Sequence, residues 1–261
     1  MSRTYVVTGS ASGIGKATTK RLRDQGHDVI GVDLRDADVT ADLSTQEGRT
    51  ALVTQVQERT GGTVDGVIAV AGLVAASPVT VGVNYFGAVA TLEGLRPLLE
   101  KSAAPRAVVV ASLAALEETD EGLLRQLRAN DEAAALKEAT RIGTETNAAG
   151  SSPIYTTTKL AISQWVREHA KTAEWAGAGI ALNAIAPGVI ETPMTLAALE
   201  SEEGRAALDE GAPSPLNGPA APPAAPAALL SWLASEENTH VTGQIIFIDG
   251  GAESIRRPEL V

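Results

Sequence analysis

Three side chains have the types and spacing needed for proton transfer at an oxygen atom. Tyr155 and Lys159 stand four residues apart in a segment with a helical pattern, so both lie on one face of the helix. A phenol titrates at about 10, but an adjacent ammonium stabilises the phenolate and lowers the pKa of the phenol. Ser112 follows the apolar run Val108–Ala111. Its hydroxyl could orient a substrate oxygen, although a serine at a strand end is by itself more often a cap or a turn residue.

A glycine-rich segment, Thr8–Gly15, lies where the first predicted strand becomes the first predicted helix. Glycines here let the backbone turn sharply and approach a pyrophosphate, while N–H groups at the helix N-terminus face its charge. A nucleoside triphosphate loop is the alternative, because Gly15 and Lys16 resemble the end of that motif. It fails because its first glycine falls on Ser10 and its Mg²⁺-binding hydroxyl falls on Ala17. The segment therefore predicts a dinucleotide site.

An acidic residue follows the glycine-rich segment at the end of the second predicted strand. Asp33 lies 18 residues beyond Gly15, which suits a carboxylate that accepts hydrogen bonds from an adenosine ribose. The same carboxylate would repel a 2′-phosphate, and the next residue is Leu34 rather than a basic one. NAD is therefore favoured over NADP, although Arg35 could weaken this preference if it folds back toward the ribose. The alternative interpretation of Asp33 is a solvated acid at a strand end.

These residues can meet only in a fold that brings the ends of several strands together, and the pattern of apolar residues predicts such a fold. Short apolar runs alternate with longer helical patterns, which is typical of parallel strands joined by right-handed helical crossovers. The prediction is an α/β fold, a Rossmann-like doubly wound parallel sheet in a single domain, residues 1–261. The predicted strands are Tyr5–Thr8, Val29–Asp33, Val67–Val70, Val108–Ala111, Ile180–Ala186 and Gln244–Ile248, and the predicted helices are Ile14–Gln25, Thr45–Thr60, Val79–Glu100, Thr156–Trp175 and Ala227–Ala234.

Two segments interrupt this alternation. Residues 116–147 are rich in Ala, Glu, Leu and Arg and are predicted to form a helical insertion of one or two surface helices. Residues 193–226 begin as a helical pattern and continue with six prolines, which predicts a lid over a substrate followed by an irregular loop. An exposed connection without a covering role is the alternative for the second segment.

Composition limits the partners of the chain. The 261 residues carry 32 acids and 21 Lys and Arg, for a net charge of -11, so we expect binding neither to nucleic acid nor to anionic membrane surfaces. No cysteine is present and the three histidines are scattered, which predicts no metal site. The chain reaches its first apolar run at Tyr5 without a basic segment before it, so we expect a cytoplasmic protein.

The motifs together resemble the short-chain dehydrogenase/reductase family over essentially the whole chain. In order, the matching motifs are Thr8-Gly9-x-x-x-Gly13-Ile14-Gly15, Asp42-Leu43, Ala71-Gly72, Val83-Asn84, Ser112, Tyr155-x-x-x-Lys159 and Asn183-x-x-x-Pro187-Gly188. The resemblance implies reversible oxidation of an alcohol to a ketone with a nicotinamide cofactor. It also implies that Tyr155 is the general acid/base, that Lys159 binds the nicotinamide ribose and tunes Tyr155, that Ser112 binds the substrate oxygen, and that Asn84 holds a water of a proton relay.

The resemblance also assigns residues to the cofactor and to the substrate. The implied cofactor-binding residues are Gly9, Ser12, Gly13, Ile14, Gly15, Asp33, Leu34, Asp42, Leu43, Ala71, Gly72, Tyr155, Lys159, Pro187, Gly188, Ile190 and Thr192. The expected substrate contacts are Ser112, Tyr155, Met194, Leu196 and Leu199.

The chain departs from the common family pattern at two places. Ala69-Val70-Ala71-Gly72 replaces the usual Asn-Asn-Ala-Gly, so polar contacts to the central strand are expected to be missing. Tyr155 follows Ser112 by 43 residues, far more than in most members, which places the insertion directly before the catalytic helix. This longer arrangement resembles a bacterial 3-alpha-hydroxysteroid dehydrogenase/carbonyl reductase subgroup. A hydroxysteroid is therefore the expected substrate, with a small or sugar-like ketone, or a non-catalytic NAD-binding role, as the alternatives.

Assembly is the last expectation from the sequence. Family members commonly form homo-oligomers, dimers or tetramers, through the long helices that begin here near Val79 and Tyr155. Because the insertion joins a strand end to the second of these helices, we expect it to cover that surface and to leave another face for dimerisation. Trp165 and Trp175 are predicted to be core or interface residues rather than cofactor contacts.

Overall fold

One parallel sheet organises the molecule in the computed structural model, which describes residues 2–145, 151–216 and 218–259. Within these residues seven strands pair in the order β3-β2-β1-β4-β5-β6-β7, and every pair is parallel. Their bounds are β1 Thr4–Thr8, β2 Asp28–Asp33, β3 Val39–Thr40, β4 Gly66–Ala69, β5 Arg106–Val110, β6 Ala181–Pro187 and β7 Ile245–Ile248. The strand order reverses between β1 and β4, which opens a crevice above their carboxyl ends.

Helices cover both faces of the sheet. Their bounds are α1 Gly13–Asp24, α2 Gln46–Thr60, α3 Pro78–Val81, α4 Ala88–Leu99, α5 Glu121–Arg128, α6 Glu132–Ile142, α7 Pro153–His169, α8 Leu196–Leu199, α9 Glu202–Gly211, α10 Ala224–Leu233 and α11 Ala252–Arg256. A π-helical turn, Gly82–Gly87, joins α3 to α4. Among the described helices none is long and apolar enough to cross a membrane.

Strand side chains alternate between two apolar cores. On β5, Ala107 and Val109 belong to the core beneath α2, α4 and α7, whereas Val108 and Val110 belong to the core beneath α1 and α10. The central strands β1, β4, β5 and β6 therefore bury both of their faces, which explains the continuous apolar runs in the sequence. The doubly wound single-domain fold is confirmed.

The element predictions differ from the structure at β3, at the helix α11, which was not predicted, and within two long helices. The two-residue strand β3 was not predicted, because two residues are too few to show a periodic pattern. The helix expected over 79–100 contains the π-helical turn, and the helix expected over 156–175 ends at His169. Trp175 instead precedes a short 3-10 turn, where its indole is buried and meets Trp165 edge to face at 5.9 Å. Both tryptophans are core residues, as predicted.

The insertion forms two helices, α5 and α6, that pack on the domain. Asp120 caps α5 and Asp131 caps α6, because each carboxylate accepts a hydrogen bond from the backbone N–H three residues beyond it. Helix α5 contacts α7 and helix α6 contacts α3. The two-helix alternative is therefore correct, although Thr146 and Asn147 at the end of the predicted insertion lie outside the described residues.

The predicted lid contains the short helices α8 and α9. Neither helix buries a residue among those described. A parallel bridge between Ile190 and Ala221 joins the segments before and after these two helices. Asn217 lies outside the described residues. Helices stand where the sequence predicts them, and the covering role stays a prediction.

Candidate active site

A cavity of about 580 Å³ opens above the carboxyl ends of β1, β4, β5 and β6. This is the position at which open α/β sheets bind ligands, because the crossovers diverge there. The lining residues are Gly9, Ser12, Gly13, Ile14, Gly15, Val70, Ala71, Gly72, Leu73, Val74, Ala75, Val110, Ala111, Ser112, Tyr155, Lys159, Pro187, Gly188, Ile190, Thr192, Pro193, Met194 and Thr195. Three of the four predicted catalytic residues, Ser112, Tyr155 and Lys159, thus face one space.

Two N-capping serines orient the segments that carry Ser112 and Tyr155, two of the predicted catalytic residues, toward this cavity. Ser112 begins a 3-10 turn, Leu113–Leu116, and its hydroxyl oxygen accepts a hydrogen bond from the Ala114 N–H at 3.1 Å. Ser152 caps α7 in the same way, and Pro153 occupies the first turn of this helix, where a missing N–H costs nothing. Tyr155 therefore lies in the first turn of α7, close to the end of β5.

The Lys159 side chain is buried against the sheet. Its ammonium Nζ donates a hydrogen bond to the Val110 carbonyl oxygen at 2.9 Å and lies 5.7 Å from the centre of the Tyr155 ring. Burial lowers the pKa of Lys159 to about 8, because an apolar surrounding disfavours the charged amine. The amine thus lies beside the phenol, and its burial makes the charged form easier to deprotonate.

Burial also raises the pKa of the Tyr155 phenol above its ordinary value. A hydrogen bond from the Ser112 hydroxyl opposes this rise, and the negative charge of Glu117 adds to it. The pKa of Tyr155 is therefore raised rather than lowered in the protein chain by itself, because desolvation is the largest of these causes. The tuning of Tyr155 by Lys159 stays a prediction. The hydrogen bond between Ser112 and Tyr155 places the two hydroxyls side by side, and their binding of one substrate oxygen stays a prediction.

The predicted cofactor turn has the shape that a pyrophosphate requires. Gly9 and Gly13 have φ angles of 68° and 49°, in the left-handed region that glycine tolerates best. A Cβ on Gly15 would stand 2.1 Å from the Gly9 carbonyl oxygen, so no larger residue fits. Helix α1 has no acidic residue in its first turn, and Ser12 makes no capping hydrogen bond through its side chain. The first N–H groups of α1 are therefore free to face an anion.

Asp33 is held in place at the end of β2. Its Oδ2 atom accepts a hydrogen bond from the Ala11 N–H at 2.9 Å, and its Oδ1 atom accepts one from the Leu34 N–H at 2.7 Å. A carboxylate fixed beside the glycine-rich turn can still accept hydrogen bonds from a ribose. Leu34 is exposed. Neither residue is among those that line the cavity in the described part of the chain, so their cofactor contacts stay predictions.

The residues expected beside the adenine have other contacts. Asp42 accepts hydrogen bonds from the backbone and the hydroxyl of Ser44. Leu43 packs its side chain into the core, and its carbonyl oxygen accepts a hydrogen bond from Arg49 at 2.8 Å. The structure does not place Asp42 or Leu43 on the described wall of the cavity, and their role also stays a prediction.

Asn84 occupies the π-helical turn and is buried behind the cavity wall. Its side-chain oxygen accepts a hydrogen bond from the Leu73 N–H at 2.7 Å, and its amide nitrogen donates one to the Leu73 carbonyl at 2.9 Å. The same nitrogen donates to the hydroxyl of Thr158, at 3.3 Å. Asn84 thus positions the loop after β4 against α7. Its predicted role in a proton relay is untested.

The chain matches two models of one family and several characterised proteins. Residues 3–123 match the model described as short chain dehydrogenase, and residues 123–253 match the model described as enoyl-(acyl carrier protein) reductase. The 3-alpha-hydroxysteroid dehydrogenase/carbonyl reductase of Comamonas testosteroni is 37% identical over 258 residues, 97% of each chain. The galactitol 2-dehydrogenase (L-tagatose-forming) of Cereibacter sphaeroides is 30% identical over 94% of this chain and 92% of its own.

A solved structure repeats the whole architecture. The 3-alpha-hydroxysteroid dehydrogenase from Pseudomonas sp. B-0831, complexed with NADH, superposes with a TM-score of 0.86 at 34% identity, over 99% of this chain and 100% of that one. The chain belongs to the short chain dehydrogenase family. It is an NAD(P)-dependent oxidoreductase that acts on CH–OH groups.

Several residues of the cavity wall of this dehydrogenase were not predicted from the sequence. Leu73, Val74 and Ala75 line it after β4, and Thr195 lines it after β6. The Thr195 hydroxyl accepts a hydrogen bond from the Thr192 N–H at 3.1 Å, which tightens the turn beneath the lid. Leu73, Val74 and Ala75 lie in the loop that follows the carboxyl end of β4, which is the signal that could have identified them.

Two expected features of the dehydrogenase have a different structural outcome. Met194 lines the cavity, whereas Leu196 and Leu199 are not part of its described wall; as substrate contacts all three stay predictions. The polar contacts expected to be missing at Ala69–Gly72 are made in part by Thr8, whose hydroxyl oxygen accepts hydrogen bonds from the N–H groups of Val70 and Ala71 at 3.0 and 3.1 Å.

Proposed function

We propose that this dehydrogenase uses NAD to interconvert a secondary alcohol and a ketone on a hydroxysteroid or a similarly bulky apolar molecule. The observation that carries the proposal is the pair of contacting hydroxyls, Ser112 and Tyr155, on the wall of a mainly apolar cavity. Val74 and Met194 extend this apolar wall to the protein surface, where about half of each side chain is exposed (48% and 46%). Contact with such a wall removes the hydrocarbon surface of a substrate from water, which lowers the free energy of binding.

The chain supplies proton transfer and orientation. The bound nicotinamide supplies the hydride acceptor for oxidation and the hydride donor for reduction. In oxidation the Tyr155 phenolate accepts the hydroxyl proton of the alcohol while the Ser112 hydroxyl donates a hydrogen bond to the same oxygen. In reduction the Tyr155 phenol returns the proton to the carbonyl oxygen. Before this proton is transferred, the Ser112 and Tyr155 hydroxyls donate hydrogen bonds to the carbonyl oxygen and stabilise the negative charge that develops there.

The residues also fit the cofactor that the proposal requires. The glycine-rich turn and the first N–H groups of α1 would hold the pyrophosphate, and Asp33 would accept hydrogen bonds from the adenosine ribose. The fixed carboxylate of Asp33 disfavours a 2′-phosphate, which supports NAD rather than NADP. Arg35 follows Asp33 by two residues and is the residue through which NADP could still be used.

Tyr155→Phe tests the proton-transfer role. We expect kcat to fall by about 10²–10⁴-fold, the usual contribution of a positioned acid or base, while NADH binding measured by fluorescence stays close to that of the wild type. Tyr85→Phe is the matched control, since Tyr85 is a buried tyrosine outside the cavity wall. Turnover retained in Tyr155→Phe would remove this residue from the mechanism.

A substrate comparison tests the rest of the proposal. We expect kcat/KM to be higher for a 3α-hydroxysteroid than for a hexitol, and higher with NAD⁺ than with NADP⁺. The hexitol is the second candidate, favoured by the 30% identity to a galactitol dehydrogenase. Absence of NADH formation with every alcohol tested, in a protein that binds NADH, would instead support a non-catalytic NAD-binding role.

We further propose a cytoplasmic homo-oligomer. The lack of cysteines makes the chain independent of an oxidising compartment. The insertion helices already cover part of the surface around α3 and α7, which favours another face for the contact between subunits.

A further inference from the structure

Arg256, at the end of the C-terminal helix α11, joins two parts of the molecule that are distant in sequence. Its guanidinium Nη2 donates a hydrogen bond to the Gly211 carbonyl oxygen at the end of α9. The same nitrogen lies 3.7 Å from Oε1 of Glu117. The side chains of Arg256 and Glu117 are only 22% and 11% exposed, so the ion pair is largely shielded from water.

The first partner is part of the lid. Helices α8 and α9 bury no residue among those described, so apolar packing does little to hold them on the rest of the domain. Other contacts to the lid lie further along the chain, for example the Leu216 N–H that donates to the Gly250 carbonyl at 3.1 Å. The contact with Arg256 fastens the end of α9 itself.

The second partner belongs to the catalytic segment. Glu117 directly follows the 3-10 turn that Ser112 begins. The next residue, Glu118, accepts a hydrogen bond through its carbonyl oxygen from the Thr156 hydroxyl at 2.7 Å, directly after Tyr155. A shift of Glu117 would therefore be felt at both catalytic hydroxyls.

We propose that Arg256 is a positioning residue that fastens lid helix α9 to the segment carrying Ser112. A guanidinium suits this role, because its several N–H donors can serve a carbonyl and a carboxylate together. The lid contact stands on the structure alone. Its consequence for substrate binding rests on the proposed function.

Limited proteolysis of Arg256→Met measures the lid contact without any substrate. Arg205 is an exposed residue of α9, so tryptic cleavage after it reports the opening of this helix. We expect cleavage after Arg205 to be about tenfold faster than in the wild type, as for the loss of one charge-assisted hydrogen bond. Arg257→Met is the matched control, because Arg257 directly follows α11, pairs with Glu253 of that helix and packs on Phe247. It should be cleaved at the wild-type rate.

Kinetics measure the second half of the proposal. In Arg256→Met we expect the KM for the alcohol to rise about tenfold, with a smaller change in kcat and an unchanged Kd for NADH. Arg256→Lys should recover part of both effects, since an ammonium keeps the charge but not the forked geometry. Glu117→Gln keeps the Gly211 contact but weakens the ion pair, so its cleavage after Arg205 should be faster than in the wild type by less than the tenfold expected for Arg256→Met. This tests the same link if Arg256→Met does not fold, and cleavage at the wild-type rate would contradict it.

The outcomes separate this proposal from the proposed function. Equal cleavage after Arg205 in Arg256→Met and Arg257→Met would overturn the lid contact even in a fully active enzyme. A protein without turnover would overturn the proposed function, whereas faster cleavage in Arg256→Met would still support the contact. Faster cleavage with an unchanged KM would overturn the link between lid and substrate.

Discussion

At the scale of single residues, burial dominates the chemistry of the site. Lys159 and Tyr155 both have pKa values displaced toward the neutral form, Lys159 downward and Tyr155 upward, and desolvation is the largest cause in each case. The hydrogen bond between Ser112 and Tyr155 lowers the pKa of Tyr155 and so opposes the effect of burial, because it stabilises the phenolate. Catalysis by this pair therefore depends on how far bound substrate and cofactor offset the cost of burial.

The buried amine makes the stability of the protein depend on pH. The pKa of Lys159 is about 8 in the folded protein against an ordinary 10.5, so between these values the unfolded chain binds more protons and stability rises with pH. We expect the free energy of unfolding of the wild type, minus that of Lys159→Met, to increase by about 3 kcal/mol across this interval, at no more than about 1.4 kcal/mol per pH unit.

Urea denaturation between about pH 7 and 9.5 should show about 2 kcal/mol of this increase, and this range avoids the titration of the tyrosines. Lys20→Met is the control, because the Lys20 side chain is 75% exposed. It should leave the pH dependence unaltered. A difference between wild type and Lys159→Met that stays constant with pH would contradict the depressed pKa.

At the scale of elements, the insertion is attached through a buried arginine. Arg49 of α2 donates to both carboxylate oxygens of Glu132 in α6, at 2.7 and 2.6 Å. Its remaining N–H groups reach the carbonyls of Leu43, Ser44 and Gly82. One side chain thus links the insertion to the loop after β3 and to the π-helical turn.

Removal of the carboxylate should therefore loosen the insertion. Glu132→Gln leaves the Arg49 charge buried without its acidic partner, and we expect a loss of about 2 kcal/mol in the free energy of unfolding. Glu138→Gln in the same helix is the control, since its partner Arg141 is 53% exposed, and such pairs contribute less than about 1 kcal/mol. Equal losses of the free energy of unfolding in the two variants, measured by urea denaturation, would show that the Arg49–Glu132 pair contributes no more to stability than the pair of Glu138 with Arg141.

At the scale of the whole molecule, the insertion changes which surfaces are available for assembly. Arg128 of α5 donates a hydrogen bond to Gln164 of α7 at 2.9 Å, so insertion side chains lie directly on the catalytic helix. A small hollow lined by Val89, Gln164 and Glu168 remains beside this contact. We expect subunits to meet at another face.

A single cysteine can test this, because the natural chain has none. We expect light scattering to give a mass that is a multiple of 26.8 kDa, and we expect Glu168→Cys to keep that mass without forming a covalent dimer under mild oxidation. Glu168 is exposed on α7, so a disulfide-linked dimer would mean that this helix faces its counterpart in the partner subunit.

Much of this protein can be predicted from local patterns. The apolar runs of the strands, the glycine-rich turn and the Tyr155–Lys159 pair depend on neighbouring residues in the sequence, and the strand order then places Ser112 beside them. This is why the doubly wound fold and the convergence of Ser112, Tyr155 and Lys159 on one cavity were predictable. The motif of Asn84 was equally visible, but its bond to Leu73 was not, because a loop after another strand provides the partner.

What only the tertiary structure decided is the environment of these groups. The depth of burial sets the direction of the Tyr155 and Lys159 pKa shifts, and it depends on atoms from many segments at once. The meeting of Arg256 with Gly211 and Glu117 has the same origin, since no local pattern joins residues so far apart in the chain. Sequence periodicity determines which face of an element is apolar, whereas packing determines which polar atoms meet, because each such meeting requires several elements to be in place together.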